Sequence, residues 1–412
     1  MQKIKTYKEI KHPAHTTHTH IKKIVNIINY IKKYKDDGLV KLTQKYEHRK
    51  LKKAHIKVKI NQLPNWKIED TVKTAIKACK NRVIKFHKTQ RKKLQLKSWL
   101  KKTNGTIIGQ QITPIRKIGI YIPGGNKIYP SSIIMNTIPA LIAGVPKIIL
   151  VTPAPIIKQS KVLLYTAKQM NITTIYNVGG AQAIAALAKG TKRIPKVNKI
   201  VGPGNQYVNL AKKALFGETG IDKLAGPTEI GLLINSKSRN KKILTELLAQ
   251  LEHDKNCAAF ILSNSTKKLK LIRKLLTRIN NKIHNTTLKT SISRTTFIVE
   301  KNIYKQAKII NYLAPEHLSI LTNHQPIIKY IKNSGSIISG KYNSSSLSDY
   351  SIGTNHVLPT HQTSKFTSPL NITEFINIKN ISIINQPHYH LNKTAKVMAQ
   401  IEQLKFHKQN IW

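Results

Sequence analysis

Between residues 118 and 263 the hydrophobic period keeps switching, and this constrains the chain more than any other feature. Apolar runs of strand length alternate there with helix-patterned stretches. Ile118–Ile122 runs into the turn Pro123-Gly124-Gly125, a helix is expected at about 131–144, and Ile148–Thr152 is a continuous apolar strand between Pro146 and Pro153. A helix at about 158–170, a strand at Ile172–Val178 and the Gly179-Gly180 turn into a helix at 181–188 repeat the unit. Val197–Val201 then leads to Gly202-Pro203-Gly204-Asn205. The alternation restarts with a strand at 230–234, a helix at 241–254 and a strand at 258–263. Parallel neighbours need a crossover connection, usually a helix, and such strands are apolar throughout because both faces are covered. The pattern predicts an α/β fold with two such units, and no repeat of 20–50 residues is visible.

Upstream, Ile21, Ile24, Val25, Ile28 and Ile31 share one face of a helix over 21–34, which Asp36-Asp37-Gly38 is expected to stop. A second helix is expected over 70–95, followed by a strand-rich section. The last forty or so residues read as a separate helical segment.

Composition narrows the function classes. A chain of 412 residues is long enough for two or three domains. The 40% hydrophobic content falls in periodic blocks, which excludes global disorder. Two cysteines, Cys79 and Cys257, exclude a disulfide framework. The first residues have no apolar core of a secretory signal, and the apolar stretch 131–157 is interrupted by Asn136, Pro139, Pro146 and Lys147. A cytoplasmic protein with no membrane partner is expected. Lys and Arg total 71 against 17 Asp and Glu, a formal charge of +54. The lysines are spread along the whole chain and the few aromatics do not interleave with them, so no stacking platform for nucleic acid is formed. Abundant Ile and Asn, which share AT-rich codons with Lys, point to compositional drift. The cost is self-repulsion that salt should relieve. His12, His15, His18 and His20 lie in a polar N-terminal arm.

Three clusters carry potential chemistry. Gln250 and His253 lie three apart at the edge of the stripe Ile243, Leu244, Leu247, Leu248 and Leu251, a spacing that lets both point into one cleft. Imidazole and amide oxygen suit zinc, although a histidine beside such a stripe is more often plain core. In Ala314-Pro315-Glu316-His317 the proline suits a helix start, whose dipole favours an ionised carboxylate and a neutral imidazole, the states of a general base. Residues 349–356, Asp-Tyr-Ser-Ile-Gly-Thr-Asn-His, read as a loop in which Asp349 either joins a metal set or makes an Asx turn. Glycine turns at 123–125, 179–180 and 202–204 suit phosphate or ribose, but none is a dinucleotide fingerprint or a P-loop. Cys257 falls where an apolar strand begins and reads as a small buried thiol.

Taken together, the blocks resemble histidinol dehydrogenases over nearly the whole chain. They are GIYIPGG at 119–125, YPSSIIMNTIPALIAGV at 129–145, VGGAQAIAALAKGT at 178–191 and IPKVNKIVGPGNQYV at 194–208. They continue with GIDKLAGPTE at 220–229, LLAQLEHD at 247–254, YLAPEHL at 312–318, SDYSIGTNHVLPT at 348–360 and EQLKFH at 402–407. The resemblance implies a zinc-dependent oxidation of L-histidinol through the aldehyde to L-histidine with two NAD. It implies that Gln250, His253, Asp349 and His407 bind zinc, with His407 reaching from the other subunit of an intertwined homodimer. Glu316 and His317 match the catalytic pair, and His317 also the substrate. Thr228, His356 and Glu402 match substrate positions, as do the four zinc positions, and Tyr121, Gln182 and Asn205 match NAD contacts. Thr228 stands where the family usually has Ser, Leu251 where a small residue is usual, and Ser348 replaces a glycine; none of these removes a functional group.

The implied fold is two incomplete Rossmann-like parallel-sheet domains. Residues 1–20 are the arm, 21–118 and 229–365 the domain carrying zinc and catalysis, 119–228 the NAD domain, and 366–412 the segment reaching the partner. Two other classes are weaker. A nucleic-acid-binding or moonlighting protein on an inactive scaffold would have lost metal positions that are all filled here, and a zinc hydrolase lacks His-Glu-x-x-His.

Overall fold

The computed structural model describes residues 4–5, 20–62, 67–103, 105–124, 128–153, 161–322, 325–386 and 388–411. In chain order the strands are β1 (Ile4–Lys5), β2 (Lys57–Lys59), β3 (Trp99–Thr103), β4 (Thr106–Pro114), β5 (Lys117–Tyr121), β6 (Lys147–Val151), β7 (Thr174–Tyr176) and β8 (Lys199–Val201). They continue as β9 (Gly220–Ile221), β10 (Glu229–Ile234), β11 (Ala258–Ser263), β12 (Thr295–Val299), β13 (His317–Ile320), β14 (Ser336–Ser339) and β15 (Ile376–Ile384). The helices are α1 (Ile21–Glu47), α2 (Asp70–Lys93), α3 (Pro130–Ala143), α4 (Lys161–Gln169), α5 (Gly180–Lys189), α6 (Gln206–Leu215) and α7 (Asn240–Leu251). After them come α8 (Thr266–Lys282), α9 (Thr286–Ser293), α10 (Ile303–Leu313), α11 (Ser345–Tyr350), α12 (Tyr389–Ile401) and α13 (Lys405–Gln409).

Two six-stranded sheets run in the orders β2-β7-β6-β5-β8-β9 and β1-β12-β11-β10-β13-β14. All pairings are parallel except β2 with β7. A third sheet, β15-β4-β3, is antiparallel. In each large sheet the chain moves outward in one direction and then restarts beside the first strand, placing a topological switch point between β5 and β8 and another between β10 and β13. On the first sheet, α1, α5 and α6 cover one face around Tyr121, Val178 and Ile200, and α2, α3 and α4 cover the other around Ile118, Ile133 and Leu163. The second sheet has α7, α8 and α9 on one face and α10 on the other.

Several expectations need correction. The helices and strand of 21–93 pack with the sheet of 119–228, not with 229–365, and 99–114 form the third sheet with β15. The stripe Ile24, Ile27, Ile28 and Ile31 on α1 packs on the alanine-rich α5, whose small side chains admit close approach, and β2 extends the first sheet beside β7. Val357, Leu370, Ile372 and Phe375 also lie in that body's core, so part of 366–412 is not a separate segment. That segment opens with the nine-residue strand β15 before its helices. Helix α1 does not stop at Asp36-Asp37-Gly38; it kinks at Lys35 (φ 48°, ψ −123°) and resumes to Glu47. In the arm, Ile4 and Lys5 pair alongside β12, while His12, His15 and His18 lie outside the described residues.

The stretch 222–229 crosses from one sheet to the other and is stapled as it goes. Asp222 forms an ion pair with Lys212, both fully buried. The same two side chains clamp Gly202, whose carbonyl accepts from Lys212 Nζ at 3.1 Å and whose N–H donates to Asp222 Oδ2 at 3.0 Å. Gly202 sits at φ +114° with the carbonyl of Tyr121 where a Cβ would lie, so no other residue fits. Lys223 donates to the carbonyls of Val357 and Ser368, Ala225 N–H donates to Asn209, and Gly226 N–H donates to Thr360 Oγ1.

Removing one partner of a buried ion pair leaves a bare charge, whereas replacing both by apolar groups is often tolerated. Lys212→Met is expected to destabilise the chain by roughly 3 kcal/mol or more, with Lys212→Met/Asp222→Leu recovering most of the loss; urea unfolding of the variants measures this.

Candidate active site

The candidate side chains of the zinc and catalytic clusters gather where β10 and β13 begin. Ala314 takes a left-handed conformation (φ 46°, ψ 55°) that ends α10, and Pro315 follows as prolines do after a helix stop. The Glu316-His317 pair is therefore not in the first turn of a helix. His317 is the first residue of β13, with Ile230 as its register partner. Glu316 faces Glu229, whose N–H donates to Glu316 Oε2 at 3.3 Å, and the Thr228 hydroxyl donates to the same carboxylate. His317 Nε2 lies 3.9 Å from Glu316 Oε1, and its Nδ1 is buried without a hydrogen-bond partner.

Gln250, in the last turn of α7, is 2% exposed and donates to Asp349 Oδ2 at 3.3 Å. The helix ends at Leu251, so His253 sits in the turn beyond it rather than one helical turn along. It is still close enough to disfavour protonation of both His317 and His356. Asp349 lies on the short helix α11, not in a loop. Glu246, one turn before Gln250, accepts from Ser345 N–H at 2.9 Å at the start of α11 and so ties the two helices together. His356 Nδ1 donates to the Asp349 carbonyl at 2.9 Å, which makes Nε2 the acceptor nitrogen of the neutral ring. Leu251 is absorbed into the core, and the Ser348 hydroxyl hydrogen-bonds that of Thr354 at 3.1 Å.

Burial sets the protonation states. It raises the Glu316 carboxyl to about 8, with help from the negative charges of Glu229 and Asp349 and against the hydrogen bonds from Glu229 N–H and Thr228. It raises Asp349 to about 6 and Glu229 to about 7. It lowers His317 to about 3 and His356 to about 4, each aided by neighbouring histidines. The expected neutral imidazole is present, but the expected carboxylate is a carboxylic acid at neutral pH: no helix N-terminus stands behind Glu316. Cys257 is fully buried with its thiol raised to about 11, as its position predicts.

Tyr121, Gln182 and Asn205 occupy the other sheet. Tyr121 ends β5 and Asn205 follows β8, so they flank the switch point at the strands' carboxyl ends, where open α/β sheets bind ligands. Burial lifts the Tyr121 phenol to about 12, and its oxygen accepts from Gly180 N–H at 3.2 Å. Asn205 caps α6 by accepting from Tyr207 and Val208 N–H. Gln182 is buried on the first turn of α5.

The family model described as histidinol dehydrogenase matches residues 10–412. The chain belongs to the histidinol dehydrogenase family. A histidinol dehydrogenase of Neisseria meningitidis serogroup A is 37% identical over 92% of this chain and 89% of its own length. That of Aquifex aeolicus is 34% identical over 90% and 87%. The crystal structure of the Elizabethkingia anophelis histidinol dehydrogenase superposes with a TM-score of 0.87 at 28% identity, covering 97% of this chain and 93% of that one. The activity is accordingly that of a histidinol dehydrogenase, an oxidoreductase of histidine biosynthesis with histidinol as substrate.

Two residues implied by the family do not join the cluster within one chain. Glu402 closes α12 and His407 lies on α13, both exposed. Among the described residues no three His, Cys, Asp or Glu side chains come together as a metal site. The sequence reading passed over Glu229, Lys223 and the Lys212–Asp222 pair. With 17 acids among 71 bases, a retained acid beside an apolar run was the available signal.

The burial shifts act on the stability of the metal-free protein in two opposed ways. His317 and His356 take up protons in the unfolded chain more readily than in the folded one, so their contribution is lost as pH drops from 6.5 towards 3. Asp349, Glu229 and Glu316 hold protons in the folded chain that the unfolded chain has released, so their contribution is lost as pH rises from about 4 to 8. Above pH 6.5 only the carboxyls still titrate, so stability is expected to fall from pH 6.5 to 8; thermal melts of zinc-free protein across that range check this, and Glu316→Gln is expected to flatten the fall.

Proposed function

We propose that this dehydrogenase carries out a zinc-dependent, four-electron oxidation of L-histidinol through L-histidinal to L-histidine with two NAD, in the cytoplasm, as a homodimer whose sites are completed across the subunit boundary. The observation that carries this reading is the meeting, in one buried cluster, of the Glu316-His317 pair with the Gln250–Asp349 pair, the Asp349 charge acting on Glu316. The donor set fits zinc: a buried carboxylate whose charge is offset only by an amide, the carbonyl oxygen of that amide after a flip, and the nearby imidazole of His253. His407 of the second chain would be the fourth ligand. The crevice between β5 and β8 fits a dinucleotide, with Tyr121 free to donate through its hydroxyl and Asn205 retaining its amide N–H groups.

When bound, zinc would orient the imidazole and amino nitrogens of the substrate, and NAD would accept the electron pair in each oxidation. His317, held neutral by burial, takes the substrate hydroxyl proton on an imidazole nitrogen. In the second half-reaction Glu316, once ionised, draws a proton from water attacking the aldehyde, and Thr228 and Glu229 N–H hold the carboxylate in place. A closed pocket keeps the aldehyde from escaping between steps. His356 and Glu402 would meet the substrate's polar groups, Glu402 from the partner.

The dimer reading is supported by apolar side chains left exposed on β3, β15, α12 and α13. Trp99 (46%), Ile384 (69%), Tyr389 (71%), Ile401 (68%) and Phe406 (80%) form far more uncovered aromatic and aliphatic surface than an isolated arm tolerates.

Because Glu316 releases its proton near pH 8, oxidation of the aldehyde is expected to accelerate from pH 7 to 9. Glu316→Gln should abolish that rise and spare the alcohol step; single-turnover NADH absorbance with histidinol and with histidinal separates the two, and equal loss of both rejects the assignment. Two NADH per histidinol, lost on chelation and restored by zinc, test stoichiometry and metal together. Mixing inactive His317→Asn and His407→Asn chains is expected to restore about a quarter of wild-type activity, since half the dimers are mixed and each holds one intact site. No recovery rejects the shared site.

A further inference from the structure

At the carboxyl end of β7, Glu47 is the last residue of α1, and its Oε1 accepts two hydrogen bonds: from Gly179 N–H at 3.0 Å and from Gln182 Nε2 at 3.0 Å. Its other oxygen takes Arg49 Nη2 at 3.0 Å, and the same nitrogen lies 3.3 Å from the Asn177 carbonyl. The carboxylate is close enough to Tyr121 to act on its phenol. Glu47 thus touches one of the residues proposed to contact NAD, acts on a second, and holds the turn between them. It comes from a distant part of the sequence, 135 residues from Gln182. Gln182 is 1% exposed, so its amide cannot turn to water for a partner, and Glu47 decides which end of that amide is fixed inward.

We infer that Glu47 is a positioning residue for the dinucleotide: by holding the Gln182 N–H and the Gly179 N–H it fixes the Gln182 carbonyl oxygen and the first turn of α5 for NAD. The inference rests on the dinucleotide reading of the β5–β8 crevice. Removing the carboxylate frees the Gln182 amide and leaves Arg49 without its counter-charge. Hydrogen bonds to a charged acceptor of this kind correspond to about tenfold in an equilibrium constant.

The test uses the purified, zinc-loaded full chain with Glu47→Ala, Glu47→Gln, Gln182→Ala and Glu47→Ala/Gln182→Ala. It reads NADH affinity by fluorescence titration, the steady-state constants, and the melting temperature. Glu47→Ala is expected to weaken NADH binding and raise the KM for NAD about tenfold, with kcat and the KM for histidinol within about twofold. Glu47→Gln, which keeps an acceptor oxygen, should restore most of the affinity even if the alanine variant folds poorly. The double variant should be weaker than Gln182→Ala by less than the loss that Glu47→Ala causes alone. Weakened binding in Gln182→Ala with unchanged binding in both Glu47 variants overturns the positioning role. Unchanged binding in Gln182→Ala overturns the dinucleotide reading itself. A uniform loss of kcat and both KM values, with no rescue by Glu47→Gln, marks a merely structural residue and also overturns the proposal.

Discussion

The polar stapling of residues 222–229 is the constraint on which the rest of the molecule depends. Two sheets with separate cores have no reason to keep a fixed relation unless the chain between them is held. Here the crossing carries its own fasteners: Asp222 into Lys212, Lys223 into two carbonyls of the returning C-terminal segment, Ala225 to Asn209, Gly226 to Thr360, and the Glu229 N–H to Glu316. At one end these bonds shape the turn at Gly202, beside the crevice between β5 and β8. At the other they support the carboxyl group of Glu316. Gly226 admits the arrangement because a Cβ there would overlap the His361 ring. The ends of the two sheets are therefore placed relative to each other by hydrogen bonds to backbone, whose geometry varies little.

Much of this was legible in the sequence where periodicity is strong. β11 matches its expected span at 258–263, and β5, β6 and α3 differ by a residue or so at each end. The misreadings share a cause. Pro315 can start a helix or follow one, and four residues of β13 are too few to show which; only the left-handed turn at Ala314 decides. His253 is spaced like a helical neighbour of Gln250, but the helix ends between them. Which sheet an N-terminal helix covers is a tertiary choice, made by the match between the isoleucine stripe of α1 and the alanines of α5, and no local pattern encodes it. The site residues were legible as motifs. Their protonation states were not, because burial by distant segments sets them.

The cluster at β10 and β13 separates titratable groups in the manner of acid–base sites. Carboxyls are pushed up and imidazoles down by the same lack of water. The outcome at neutral pH is a set of neutral imidazoles beside carboxyls that hold back part of their protons, in a chain that otherwise carries a large positive charge. A cation can enter such a pocket by displacing protons from carboxyls instead of repelling imidazolium.

The scarcity of acids has a consequence for how the molecule tolerates change. Lys189–Glu218, Lys199–Glu374, Lys212–Asp222 and Arg49–Glu47 each draw on a small stock of 17 carboxylates, while the chain carries 71 lysines and arginines. A lost lysine at the surface has neighbours able to approximate its field; a lost carboxylate has none. Robustness to random substitution is therefore lopsided, and sequence drift can continue freely among the bases while the few remaining acids are pinned in place.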